Sequence, residues 1–232
     1  MRAILSLACI FFCFNNVHAQ TWKESEPQDY HNSIVKIVSH RVSGSGTVIK
    51  FVEDSEAHPE YYIGLILTAS HVIRGDADLF EIRFKSGKKT LYNRAVLKNP
   101  MEGDKFNDLG LIRALIPDEV KPIPISSKKP TMGGELEVGG WGLGELRHWN
   151  AVCGGTLLNN DGIIIFSWAV QGDSGGPILL DGKVVGVVCY GSAVGWHTEP
   201  RRLIVGPIYG SSVNRVTKFI NSFTNSNENI TL

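Results

Sequence analysis

In the segment Gln171-Gly172-Asp173-Ser174-Gly175-Gly176-Pro177-Ile178-Leu179-Leu180-Asp181-Gly182-Lys183-Val184-Val185-Gly186-Val187-Val188, a glycine-rich turn runs straight into two short apolar stretches. Pro177 at the exit of the turn does not suit a helix interior, and the β-branched run 184–188 has strand composition. Asp181-Gly182 is the residue pair of a two-residue hairpin, since both types tolerate positive φ. The segment reads turn, strand, turn, strand, with no helix directly after Ser174.

The same grammar extends outward. Runs at 34–38, 47–52, 63–67, 81–84, 90–97 and 109–115 are short and rich in strand formers, and Ser43-Gly44-Ser45-Gly46 reads as one of the turns between them. A second series covers 135–140, 151–152, 162–168, 177–180, 183–189 and 203–208. Between the series, residues 117–130 hold four prolines, which suits neither a central strand nor a helix and predicts a connector. Residues 144–150, including Trp149, are expected to form a loop beside a cleft. Val213, Val216, Phe219, Ile220 and Phe223 recur at helical spacing behind Ser211 or Ser212 as cap, predicting a short amphipathic helix over 211–223. No helical pattern alternates with the strands, so the reading is all-β, with one unit over about 32–116 and a second over about 131–210.

Composition narrows the function classes. Lys+Arg and Asp+Glu are balanced at 23 each, which argues against nucleic acid as a partner. Hydrophobic content of 43% against 20% charged excludes a mainly disordered chain. Arg2, the apolar run 4–14 and Val17-His18-Ala19 form a signal peptide pattern over 1–19, leaving 20–232 as the mature chain. The apolar run is shorter than the ~20 residues a spanning helix needs, so no stable membrane insertion is expected after cleavage. The expected location is secreted or periplasmic. Cleavage removes Cys9 and Cys13, and the remaining Cys153 and Cys189 could form one disulfide or stay as two buried thiols, with a slight lean to the unpaired form. No Cys/His cluster has zinc-ligand spacing, so neither a metal nor another cofactor is expected.

Three local patterns combine into one chemistry. Thr68-Ala69-Ser70-His71 puts a histidine after a strand, Asn107-Asp108-Leu109-Gly110 puts a carboxylate before one, and Ser174 lies in the glycine-rich turn. A serine hydroxyl becomes a useful nucleophile when an imidazole takes its proton and a carboxylate fixes the imidazole's tautomer. The oxyanion that forms needs two converging amide donors, and glycines at 172, 175 and 176 would let the amides of Gly172 and Ser174 converge.

These residues resemble the trypsin/chymotrypsin-like serine protease superfamily, in its compact bacterial form. Thr68-Ala69-Ser70-His71 is similar to the family's T-A-A-H, and Asp108-Leu109-Gly110-Leu111 to its D-[IL]-A-L. Gly172-Asp173-Ser174-Gly175-Gly176-Pro177 is identical to its G-D-S-G-G-P, and the order His, Asp, Ser is the family's. The resemblance implies two antiparallel six-stranded β-barrels (chymotrypsin-like) with a short C-terminal helix. It also implies a secreted serine endopeptidase acting on protein or peptide through an acyl-enzyme. His71 would be the general base, Asp108 its orienting carboxylate, Ser174 the nucleophile, and Gly172 with Ser174 the oxyanion hole.

Departures from the family carry further expectations. Val72 replaces the cysteine that follows the histidine in animal enzymes, and Cys189 stands where a serine often supports the aspartate. Animal digestive enzymes free an Ile-Val-Gly-Gly terminus that pairs with the aspartate corresponding to Asp173. Here Ile34-Val35 is followed by Lys36, so activity without that cleavage is expected. By gapless counting Trp168 stands at the base of the primary pocket, with Ala169, Val188, Cys189, Tyr190 and Gly191 as further substrate-binding positions. With no acidic residue at the base and no histidine at 188, the expected preference is for small or medium aliphatic P1 residues. Two alternatives compete. Gly172-x-Ser174-x-Gly176 also fits the elbow of α/β-hydrolases, but that fold needs a helix after the serine and the order Ser, Asp, His. A non-catalytic protease-like binding module would be expected to lose a triad member, and this chain keeps all of them.

Overall fold

The computed structural model describes residues 28–38, 42–73, 80–92, 95–98, 107–157, 161–191 and 203–226. The segment 1–19, read as a signal peptide, lies outside them. Its strands are β1 (Ile34–Val38), β2 (Ser43–Asp54), β3 (Tyr61–Thr68), β4 (Phe80–Arg83), β5 (Lys89–Tyr92), β6 (Ala95–Lys98), β7 (Gly110–Pro117), β8 (Glu135–Gly140), β9 (Arg147–Leu157), β10 (Gly162–Val170), β11 (Pro177–Leu180), β12 (Lys183–Gly191) and β13 (Leu203–Ser212). Helix α1 (Val213–Ser226) follows. All strand pairs are antiparallel.

Strands β8 to β13 close into the six-stranded barrel expected of the second half, in the order β10-β13-β12-β11-β8-β9. The first half is a sheet in the order β5-β4-β1-β2-β3-β7-β6, which curls so that β5 approaches β7. The two-unit chymotrypsin-like architecture is as expected, but this half has a seventh strand. The run 90–97, read as one strand, is divided between β5 and β6, and these pair on opposite edges of the sheet, with β4 and β7. A continuous composition hides such a break, because only the pairing partners reveal it.

Two further local readings are corrected. Residues 43–46 are the start of β2, paired with β1 from Val38↔Ser43 to Val35↔Gly46, and not a turn. Small residues serve close approach there: a Cβ on Gly44 would lie 2.6 Å from the Val72 methyls and 3.0 Å from the Ser174 carbonyl. The expected loop 144–150 is shorter, since β9 begins at Arg147, and Trp149 is fully buried. The 181–182 hairpin is as read, with positive φ at both Asp181 and Gly182 and Leu180 opposite Lys183. Helix α1 buries Val213, Val216 and Phe219 as its spacing predicted, although the Ser212 hydroxyl makes no capping bond.

Two apolar cores result. One holds Ile34, Ile37, Leu67 and Leu111 of the first sheet together with Val184, Val187, Val216 and Phe219 from the second half. The other fills the closed barrel with Val138, Trp149, Ile163, Val185 and Val188. Strand β12 therefore feeds both cores from its two faces, which explains its unbroken apolar run in place of alternation. The segment 117–130 lies along this seam. Ile123 donates its amide to Val48 (2.8 Å), and Ile125 bridges Val184.

Candidate active site

Strand β3 ends at Thr68 opposite Gly110, where β7 begins. That register puts Asp108 beside residues 70 and 71. The Ser70 amide donates to the Asp108 carbonyl (3.1 Å), and the His71 amide donates to Asp108 Oδ1 (2.8 Å). A 3₁₀ turn, Ser70–Ile73, then swings the His71 ring so that Nδ1 bonds Asp108 Oδ2. The carboxylate is 2% exposed, and an ionised carboxylate can only accept, so the geometry suits donation from Nδ1 to Asp108. The His71 side chain keeps 32% exposure.

Ser174 lies between β10 and β11 in a turn that only glycine can complete. Gly172 has φ +106 and Gly175 φ +85, and a Cβ on either would meet a backbone oxygen, Trp141 O at 2.7 Å or Ser45 O at 2.1 Å. The turn's amides divide into two sets. Those of Asp173, Gly175 and Gly176 are bonded to the carbonyls of Val170, Val188 and Asp173, at 3.1, 2.8 and 3.0 Å. Those of Gly172 and Ser174 donate to no backbone carbonyl among the described residues.

Strand β2 brings this turn to the histidine. The Ser45 amide donates to the Ser174 carbonyl (2.8 Å), and the Thr68 hydroxyl donates to the Ser45 carbonyl (2.6 Å). The Ser45 hydroxyl, fully buried, donates to the Gly172 carbonyl (2.6 Å) and accepts from the Trp141 amide (2.8 Å). Thr68 is three positions before His71, so one short chain of bonds links the two halves at the site. No hydrogen bond joins Ser174 to His71 in this structure, and such contacts often tighten only around substrate.

Residues 44–187 match the trypsin-like peptidase domain family. The chain belongs to this family. Mouse kallikrein 1-related peptidases b22 and b24 are 30% and 29% identical to it over 129 residues, 44% and 43% of this chain and 50% and 49% of theirs. The chain thus spans about half the length of the curated relatives it matches. Among solved structures, Rv3671c of M. tuberculosis in an inactive form superposes with TM-score 0.63 at 17% identity, over 91% of this chain and 100% of that one. A serine endoprotease from Yersinia pestis gives 0.63 at 19%, over 86% and 67%. Mouse neuropsin gives 0.61 at 16%, over 87% and 98%. At these identities the structural likeness speaks for the fold.

The positions expected to line a substrate pocket differ in access. Ala169, Val188 and Cys189 are enclosed by the packing of the second barrel, whereas Trp168, Tyr190 and Gly191 keep partial exposure. Trp168 stacks on buried Trp149 with ring centroids 4.8 Å apart. Cys153 and Cys189 are both free thiols. Burial pushes Cys189 up to about 12, and the nearby Asp108 charge adds to the rise, so it stays a neutral thiol against Ser211 Oγ (3.3 Å).

One group of metal-ligand types exists among the described residues: His31, Glu137 and His148, with donor atoms within 4.8 Å of one another. Its bonding opposes a metal. His31 Nδ1 accepts the Gln28 amide (2.9 Å), so Nε2 carries the proton and donates it to Glu137. The two rings are stacked at 3.8 Å, so their lone pairs do not converge on one ion. The cluster is a clasp holding the N-terminal turn to β8 and β9.

Sequence reading missed Ser45, Thr68 and Trp141, whose bonds join the serine turn to the first half. The small-residue run 43–46 was the available signal for Ser45, being the mark of close backbone approach as much as of a turn.

Proposed function

We propose that this protein is an exported serine endopeptidase, secreted or periplasmic once residues 1–19 are removed. The observation that carries the reading is the bonded His71–Asp108 pair together with a serine turn in which, among the described residues, the amides of Gly172 and Ser174 donate to no backbone carbonyl. Among the described residues no helix is long and apolar enough to cross a membrane.

In this mechanism His71 Nε2 takes the proton of the Ser174 hydroxyl as its oxygen attacks the scissile carbonyl. Asp108 holds the imidazole in the required tautomer and stabilises the imidazolium. The carbonyl oxygen becomes an oxyanion between the amides of Gly172 and Ser174, where fixed dipoles need no reorganisation. Collapse expels the amine, which receives the proton from His71 and leaves an acyl ester on Ser174. Water then repeats the cycle to release the acid. Trp168, Tyr190 and Gly191 form the accessible part of a shallow apolar P1 site, favouring small or medium aliphatic residues.

The test is fluorophosphonate labelling beside cleavage-site profiling on a peptide library. Labelling lost in Ser174→Ala, with cleavage after small or aliphatic residues, is the expected result. Strict cleavage after Arg or Lys would refute the pocket assignment. Absence of Ser174-dependent labelling would refute the enzyme and favour a non-catalytic binding module.

A further inference from the structure

Asp173 is the residue next to the nucleophile, and its side chain is 1% exposed. One carboxylate oxygen accepts the Val170 amide (2.8 Å), and the Gly142 backbone beside the other favours the charged form only weakly. A buried carboxylate so placed needs a counter-charge. The cation that reaches it is Arg147, at the start of β9, with Nη2 3.5 Å from Asp173 Oδ2. That distance is an ion pair without hydrogen-bond alignment, and Arg147 Nε and Nη2 are themselves buried without hydrogen-bond partners. The guanidinium also lies over the Trp168 ring, 4.6 Å from its centroid, and 5.9 Å from that of Trp149. The backbone leaves room for the pair at Gly142, where a Cβ would sit 2.1 Å from Arg147 Nη2 and 2.4 Å from Asp173 Oδ1.

Such a pair is a poor source of stability, because desolvating both charges outweighs an unaligned attraction. Its placement gives it a different use. We propose that Arg147 is a positioning residue for catalysis: it neutralises Asp173 from within the chain, and by stacking on Trp168 it ties the turn carrying Ser174 to the floor of the primary pocket. The turn's working shape then needs no new terminal ammonium to balance Asp173, which agrees with the absence of an Ile-Val-Gly-Gly site. This inference rests on the peptidase reading above.

The experiment measures fluorophosphonate labelling and peptide kcat and KM for wild type, Arg147→Gln, Arg147→Lys, Asp173→Asn and the Arg147→Gln/Asp173→Asn double variant, with circular dichroism as the fold check. The expected result is Ser174-dependent labelling in wild type and a kcat loss of ~10–100-fold in Arg147→Gln, smaller than the ~10²–10³ for losing an oxyanion donor outright. KM should stay within a few-fold, and Arg147→Lys should recover part of the rate. The double variant should be no worse than the poorer single, since both remove one pair. Arg147→Ala with millimolar guanidinium gives a second route, in which added guanidinium should restore rate in that variant and leave wild type unchanged. Should Arg147→Gln fail to fold, the Arg147→Lys and Asp173→Asn rates decide: both at the wild-type rate would overturn the inference. Folded Arg147→Gln at the wild-type rate, additive losses in the double variant, or KM rising in step with falling kcat would each overturn it while leaving the peptidase reading intact. A wild type without Ser174-dependent labelling removes both.

Discussion

Ser45→Ala isolates the bond network that joins the two halves at the site. The Ser45 hydroxyl is fully buried and serves two backbone groups, the Gly172 carbonyl at 2.6 Å and the Trp141 amide at 2.8 Å. Alanine keeps the Cβ and the Ser45 amide's bond to the Ser174 carbonyl, so the change removes only the bridge. Each buried group left without a partner costs ~1–3 kcal/mol, and partial exposure at Trp141 lets water relieve one of them, leaving a total of ~1–3 kcal/mol. For a chain of this size that lowers Tm by ~2–12 °C. The carbonyl released belongs to Gly172, the residue whose amide is assigned to the oxyanion hole. Small reorientation of such a donor is expected to cost ~10–100-fold in kcat with little change in KM. The assay pairs thermal unfolding with steady-state kinetics on one peptide. Ser33→Ala is the control, because its hydroxyl bonds the Lys121 carbonyl, in the connector rather than in the serine turn. It should cost stability and leave kcat unchanged. If Ser45→Ala melts with wild type and keeps its kcat, the bridge does not hold the turn.

Two further outcomes follow from the site. Asp108→Asn would offer His71 an amide that can donate, shift the ring proton towards Nε2 and lower kcat by ~10⁴-fold at neutral pH; a loss below ~10-fold would show that the His71–Asp108 bond does not set the tautomer. Burial raises Asp173 to about 6 against the pull of the Val170 amide, the Arg147 charge and the Gly142 amide, while an unfolded aspartate titrates near 3.9. Between those values the folded state holds a proton the unfolded chain has lost, so this group's contribution to stability falls as pH rises from about 4 to about 6. Urea unfolding of wild type and Asp173→Asn across that range should show their stability difference moving against wild type as pH rises. A difference that stays flat would mean that Asp173 titrates alike in both states.

The turn at 171–177, the hairpin at 181–182 and the order of His71, Asp108 and Ser174 were all legible in the sequence. Each depends on residues adjacent in the chain: glycine where φ must be positive, paired turn residues between apolar runs, and motif types in fixed order. The division of 90–97 between β5 and β6, and the β2 pairing of 43–46, were not legible, because which edge a strand joins is set by partners far away in sequence. Within the site, the sequence by itself determined which groups could do the chemistry. Tertiary structure alone decided what surrounds them: the Ser45 bridge joins β2 to the serine turn and to Trp141, the Thr68 link joins β3 to β2, and the Arg147–Asp173 pair joins β9 to the serine turn. The first exists only after the two β-units meet and the others only once distant segments of one unit have packed, and no local pattern of residue types encodes either event.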